Sequence, residues 1–179
     1  PAKRVIPVIL KIIELFKENK KSDDTLKSWI HRIVNDSEDS SVKSIPFTAF
    51  EKRSSLKKVD IEEGVEVIGK RSFQFCPKLN QMTFPSTLLA IEEGALQDTG
   101  LARLELPESL CFVGKFAFNY CNALRIVSFR SAATKIERSV FSFSSSLIHV
   151  KLPEDLSQIP PGLFVECTSL TCQRIPSKA

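Results

Sequence analysis

Tryptophan, tyrosine and methionine occur once each in the 179 residues, and histidine twice. With only His31 and His149 available, neither an HExxH helix nor a Cys/His nucleophile pair can be assembled, and no catalytic or metal-binding constellation stands in the chain. Six glycines are few for phosphate-cradling loops. The five cysteines form an odd set without a CxxC spacing, which describes neither a disulfide framework nor a zinc site. A reducing compartment, cytoplasmic or nuclear, is therefore expected, with no cofactor. No apolar run reaches the roughly 20 residues of a membrane helix, because Lys11 and Glu14 interrupt the best candidate, Val5 to Phe16. That stretch also lacks the small-residue cleavage site of a signal peptide. The excess of 25 basic over 21 acidic residues is spread along the chain and is too small to mark a dedicated nucleic-acid binder.

Phenylalanine is abundant, with thirteen copies, and it is placed periodically. Phe50, Phe73, Leu96, Phe118, Phe141 and Phe164 follow at intervals of 23, 23, 22, 23 and 23. Leu56, Leu79, Leu101, Leu124, Leu147 and Leu170 keep the same rhythm, as do Ile45, Ile68, Ile91, Val113, Ile136 and Ile159. Three columns that shorten together at one repeat define six units, starting near 42, 65, 88, 110, 133 and 156. Each unit contains an alternating segment such as Leu101-Ala102-Arg103-Leu104-Glu105-Leu106, the period of a strand with one buried face. Proline follows the strand at Pro85, Pro107 and Pro153. The segment around each Phe, as in Arg71-Ser72-Phe73-Gln74-Phe75, is too short for a stable helix and is expected to form a helical turn. Units of this size bury their apolar columns only by stacking on their neighbours.

The unit resembles the leucine-rich repeats of the BspA-like, or Treponema pallidum, type. The resemblance covers about residues 42 to 176 and is carried by Ile68, Phe73, Cys76, Leu79, Met82, Phe84 and Pro85, and again by Val113, Ala117, Phe118, Cys121 and Leu124. Departures are Arg53 and Ser144 at the Cys position, Leu96 at the Phe position, one deletion around Asp98 to Gly100, and Gln173 where the strand should be apolar. The expected fold is an α/β solenoid with a parallel sheet on its concave face, helical turns opposite, and an α-helical N-terminal cap. The cap, residues 1–41, is read from the apolar face of Val5, Ile6, Val8, Ile9, Ile12, Ile13, Leu15 and Phe16, followed by Leu26, Trp29, Ile30 and Ile33. Residues 42–179 carry the repeats, the last incomplete. No cap follows Ile175, so either the sequence is cut short there or that edge is expected to meet another surface, a second copy included.

The resemblance implies a non-catalytic module that binds protein on the concave sheet, as a scaffold or regulator. Strand alternation turns Lys58, Asp60, Gln81, Thr83, Arg103, Glu105, Ile126, Ser128, His149, Lys151, Cys172 and Arg174 outward, with Arg125 and Arg130 beside them. The later strands are basic and suit an acidic or phosphorylated partner. Nucleic acid is an alternative occupant of the same residues. Lys43-Ser44-Ile45-Pro46-Phe47 is similar to the docking motif of protein phosphatase 1 binders, with Lys43, Ile45 and Phe47 as its contacts. Cys76, Cys121 and Cys167 share one column and are expected to be buried and reduced, two units apart being about 10 Å. Glu62-Glu63-Gly64 and Glu92-Glu93-Gly94 are expected to be solvated turns. Phe75, Tyr120 and Phe143 share a column on the turn side, where exposed rings would anchor a partner; tucking between units is the preferred expectation.

Overall fold

The computed structural model describes residues 44–171. Each of the first five repeats makes one coil of a solenoid, holding a two-residue strand, a double turn and a longer strand; the described residues of the sixth hold the turns alone. The short strands are β1 (Ser44–Ile45), β3 (Val67–Ile68), β5 (Ala90–Ile91), β7 (Phe112–Val113) and β9 (Lys135–Ile136). They pair in parallel as one five-stranded sheet, and the register places Ile45, Ile68, Ile91, Val113 and Ile136 side by side. The longer strands are β2 (Lys58–Asp60), β4 (Gln81–Thr83), β6 (Arg103–Leu106), β8 (Ile126–Phe129) and β10 (His149–Lys151). The residues that follow close the coil. Pro85, Pro107 and Pro153 end the strands, and their carbonyls accept the amides of Leu88, Leu110 and Leu156, so proline both removes a ladder donor and begins the turn.

The expected helical turns are absent among the described residues, and the hydrogen bonds show why. In residues 71–75 the amides of Ser72 and Gln74 bond back to Gly69 and Arg71, whereas those of Arg71, Phe73 and Phe75 donate to Glu93, Ala95 and Gln97 of the next coil. Every second amide thus leaves the coil, which a helix with all its donors along one axis cannot do. The backbone is also left-handed twice per coil, four residues apart, as at Arg71 (φ 55) and Phe75 (φ 60). The described solenoid is therefore β and turn throughout, not α/β. The predicted cap, residues 1–41, lies outside the described residues, as do Lys43, Cys172 and Arg174.

The columns do stack. Phe73, Phe118 and Phe141 are wholly buried, as are Leu79, Leu124 and Leu147 and the Ile68, Ile91 and Val113 row. Phe50 and Phe73 stack at 5.0 Å between centroids, and Phe118, Phe141 and Phe164 form a second stack with spacings of 5.6 and 6.0 Å. Leu96 separates the two. Ile159, in the last coil, is exposed, since no described coil lies beyond it.

The shortened repeat leaves a second break. Asn80 and Gln81 both donate to the Lys57 carbonyl, Arg125 and Ile126 to Ala102, and Ile148 and His149 to Arg125. The corresponding bonds from Ala102 and Arg103 to Asn80 are missing, and the longer strands split into a β2-β4 pair and a β6-β8-β10 sheet. In the shortened segment between Leu96 and Leu101 the chain runs tight against the preceding coil. A Cβ on Gly100 would sit 2.4 Å from the Pro77 carbonyl oxygen, so only glycine fits there.

Candidate interaction surfaces

The longer strands alternate as their sequence demands. Val59, Leu104, Val127 and Val150 point into the core, while Lys58, Gln81, Thr83, Arg103, Glu105, His149 and Lys151 stand exposed and Asp60, Ile126 and Ser128 are half-buried on the same side. Register sets Arg103, Ile126 and His149 in one row and Glu105, Ser128 and Lys151 in the next. Adjacent strands lie about 4.8 Å apart, so each row presents three side chains within about 10 Å. Arg125 and Arg130 flank β8 and are exposed.

Charge is distributed unevenly over this face. Around β2 and β4 it is settled locally: Lys58 Nζ lies 3.1 Å from an Asp60 carboxylate oxygen, and Thr83 Oγ1 donates to Asp60 at 3.2 Å. On the later strands Arg130 pairs with Glu105 at 2.6 Å. Among the described residues Arg103, Arg125 and Lys151 have no carboxylate partner.

Lys43 lies outside the described residues, so the phosphatase-like motif is visible only in part. Phe47 is 61% exposed, whereas Ile45 is half-buried against the core and pairs with Ile68 through β1. The two apolar anchors therefore face different environments.

Cys76, Cys121 and Cys167 are buried and unpaired, as their spacing predicts. Each thiol donates to a carbonyl of the preceding coil, on Phe50 at 3.0 Å, Leu96 at 3.2 Å and Phe141 at 3.0 Å. Burial pushes the Cys76 and Cys121 thiols from 9.0 up to about 11, so neither serves as a nucleophile. Cys111 is the exposed thiol of the described set. In the Glu-Glu-Gly turns Glu63 and Glu92 are exposed, as expected, and the same side chains also tie coils together. Glu63 accepts the Ser86 amide and hydroxyl, Glu92 accepts the Lys70 amide, and Glu93 pairs with Lys70 and Lys115. Among the described residues no three His, Cys, Asp or Glu side chains converge on a metal position, and no helix is long and apolar enough to cross a membrane.

Tyr120 and Phe143 do not tuck between coils. Their rings stack on each other at 4.7 Å and stand 45% and 38% exposed, and Phe75 is 38% exposed. Strand reasoning missed Asp98 and Glu166, which occupy the same left-handed column; the repeat spacing was the signal that places them there.

The BspA type leucine-rich repeat region matches in six copies over residues 42–176. The chain is similar to the crystal structure of a Treponema pallidum leucine-rich repeat protein, with 27% identity and a TM-score of 0.69 over 76% of this chain and 64% of that one. A leucine-rich repeat protein from Bacteroides ovatus shares the fold at 24% identity and a TM-score of 0.56, covering 75% of this chain and 41% of that one. The pneumococcal vaccine antigen PcpA matches at 28% identity and a TM-score of 0.50, over 60% of this chain and 27% of that one. This chain thus spans less than two thirds of each of these proteins. No curated protein sequence matches it. Six registered copies, the stacked Phe and Leu columns and the parallel ladders establish that the chain belongs to the BspA-type leucine-rich repeat family.

Proposed function

We propose that the protein is a non-catalytic protein-interaction module, a scaffold or regulator, whose β6-β8-β10 face receives an acidic protein partner. The unneutralised cations carry this proposal. Arg103, Arg125 and Lys151 share an exposed surface with no carboxylate paired to them among the described residues, while Lys58 and Arg130 on the same side are neutralised within the fold. Complementary charge of this kind steers encounter and fixes register, and half-buried Ile126 offers an apolar contact between Arg103 and His149. Residues 1–41 are assigned the role of covering one end of the stack, which an open solenoid otherwise leaves apolar. The four cysteines among the described residues are unpaired, which supports a reducing, cytoplasmic location.

The test is affinity capture from a nuclease-treated native lysate. A charge-reversed Arg103→Glu/Arg125→Glu/Lys151→Glu variant is expected to lose one specific protein by about tenfold or more, while Lys58→Glu retains it. Equal capture by the triple variant overturns the assignment. Nucleic acid as the true ligand would instead show log K falling with log salt by roughly 0.9 per phosphate contacted. Docking on a phosphatase through Lys43, Ile45 and Phe47 is favoured by the exposure of Phe47; it requires Phe47→Ala to abolish capture of the phosphatase.

A further inference from the structure

The turn side of the solenoid carries a column of one residue per coil: Lys52, Phe75, Asp98, Tyr120, Phe143 and Glu166, all left-handed with φ between 54 and 61. Amides in this column donate across the coils, from Asp98 to Asn119, Tyr120 to Ser142 and Phe143 to Val165, so its members are direct neighbours. An L-residue in this conformation costs roughly 1–2 kcal/mol, and glycine, asparagine or aspartate meets it most easily. The backbone therefore gives no reason for bulky rings at Phe75, Tyr120 and Phe143. The core gives none either, since all three rings are more than a third exposed.

Their neighbours indicate a purpose. The stacked Tyr120–Phe143 pair is bracketed in the column by Asp98 on one side and Glu166 on the other. Glu93, Glu105 and Asp60 are ion-paired within the fold, but neither Asp98 nor Glu166 has an ion-pair partner among the described residues. Val165, 47% exposed, widens the apolar strip beside Phe143. An aromatic surface flanked by carboxylates is complementary to a guanidinium, whose flat face lies on a ring while its forked donors engage an acid.

We infer that this column docks a protein segment bearing two arginines, one at each end of the aromatic pair. Three coil spacings separate Asp98 from Glu166, about 14 Å, and an extended chain at about 3.3 Å per residue covers that span in about four residues. Arginines at i and i+4 match it. The site is on the turn side and independent of the cationic strand face.

The test is fluorescence anisotropy of a fluorescein-labelled Gly-Arg-Ser-Gly-Ser-Arg-Gly peptide with the full chain. The wild type is expected to bind it, the lysine counterpart several-fold more weakly and the glutamate counterpart not at all. Asp98→Asn/Glu166→Gln is expected to weaken binding about tenfold. Tyr120→Asn/Phe143→Asn should weaken it at least as much while leaving the circular dichroism spectrum intact, because asparagine accepts the left-handed backbone. Failure of the arginine peptide to bind, equal binding of the glutamate peptide, or affinities within twofold of wild type in both double variants would overturn the inference.

Discussion

A single hydrogen bond explains the cysteine column. Cys76, Cys121 and Cys167 reach a backbone carbonyl one coil back, and Ser144, which breaks the Cys pattern in sequence, makes the same bond to Phe118 at 3.0 Å. The position asks for a small side chain with a donor, and either hydroxyl or thiol meets the demand. The two differ when pH rises. A thiol whose pKa is higher folded than unfolded holds its proton more firmly in the folded chain. Its stabilising contribution is complete below 9 and is lost as pH climbs toward 11. At pH 10 the loss is on the order of 1 kcal/mol per thiol. Under reducing conditions the melting temperature of the wild type should therefore fall more between pH 8 and about 10.5 than that of Cys76→Ser/Cys121→Ser. Parallel pH profiles would show that these thiols are not held neutral by the fold.

At the scale of elements, the strands were legible because period-two alternation recurred in register with three apolar columns, as in Leu104 and Leu106 beside Val127 and Phe129. The double turns were not. Their left-handed positions hold Arg71, Lys52, Tyr120 and Glu166 as readily as Gly94 and Gly162, so composition carries no mark of the backbone, and the bonds that replace a helix run to the next coil. The deletion at Asp98 to Gly100 was visible, but its effect on pairing was not, since a missing residue does not reveal which ladder bonds it removes. Two measurements follow from that gap. The amides of Ala102 and Arg103, which lack the bonds to Asn80, should exchange faster than their counterparts Arg125, Ile126, Ile148 and His149, all of which donate to the preceding coil. Gly100→Ala, whose Cβ would meet the Pro77 carbonyl at 2.4 Å, should cost about 2–4 kcal/mol in chemical denaturation. A cost below about 0.5 kcal/mol would mean that the tight approach at Gly100 is dispensable.

For the whole molecule, stability has to be shared between neighbours, since a coil touches only the coils beside it. Two interruptions fall on the same repeat: Leu96 separates the Phe50–Phe73 stack from the Phe118–Phe141–Phe164 stack, and β4 does not pair with β6. Continuity across that repeat rests on the five-stranded sheet through β5, on the buried Leu and Ile columns, and on the turn amides that Arg71, Phe73 and Phe75 donate into it and Leu96 and Asp98 donate onward. Damage on one side should therefore spread along that side before it crosses. Phe141 is the sharpest probe, because it stacks on Phe118 and Phe164 and meets Phe129 edge-on at 6.4 Å. Phe141→Ala is expected to cost about 3–5 kcal/mol. In native-state hydrogen exchange the lost protection should concentrate in β8, β10 and the turn at 162–166, while the amides joining β2 to β4 keep most of theirs. A uniform fall in protection from β2 to β10 would show instead that the solenoid opens as one unit and that the interrupted repeat is no seam.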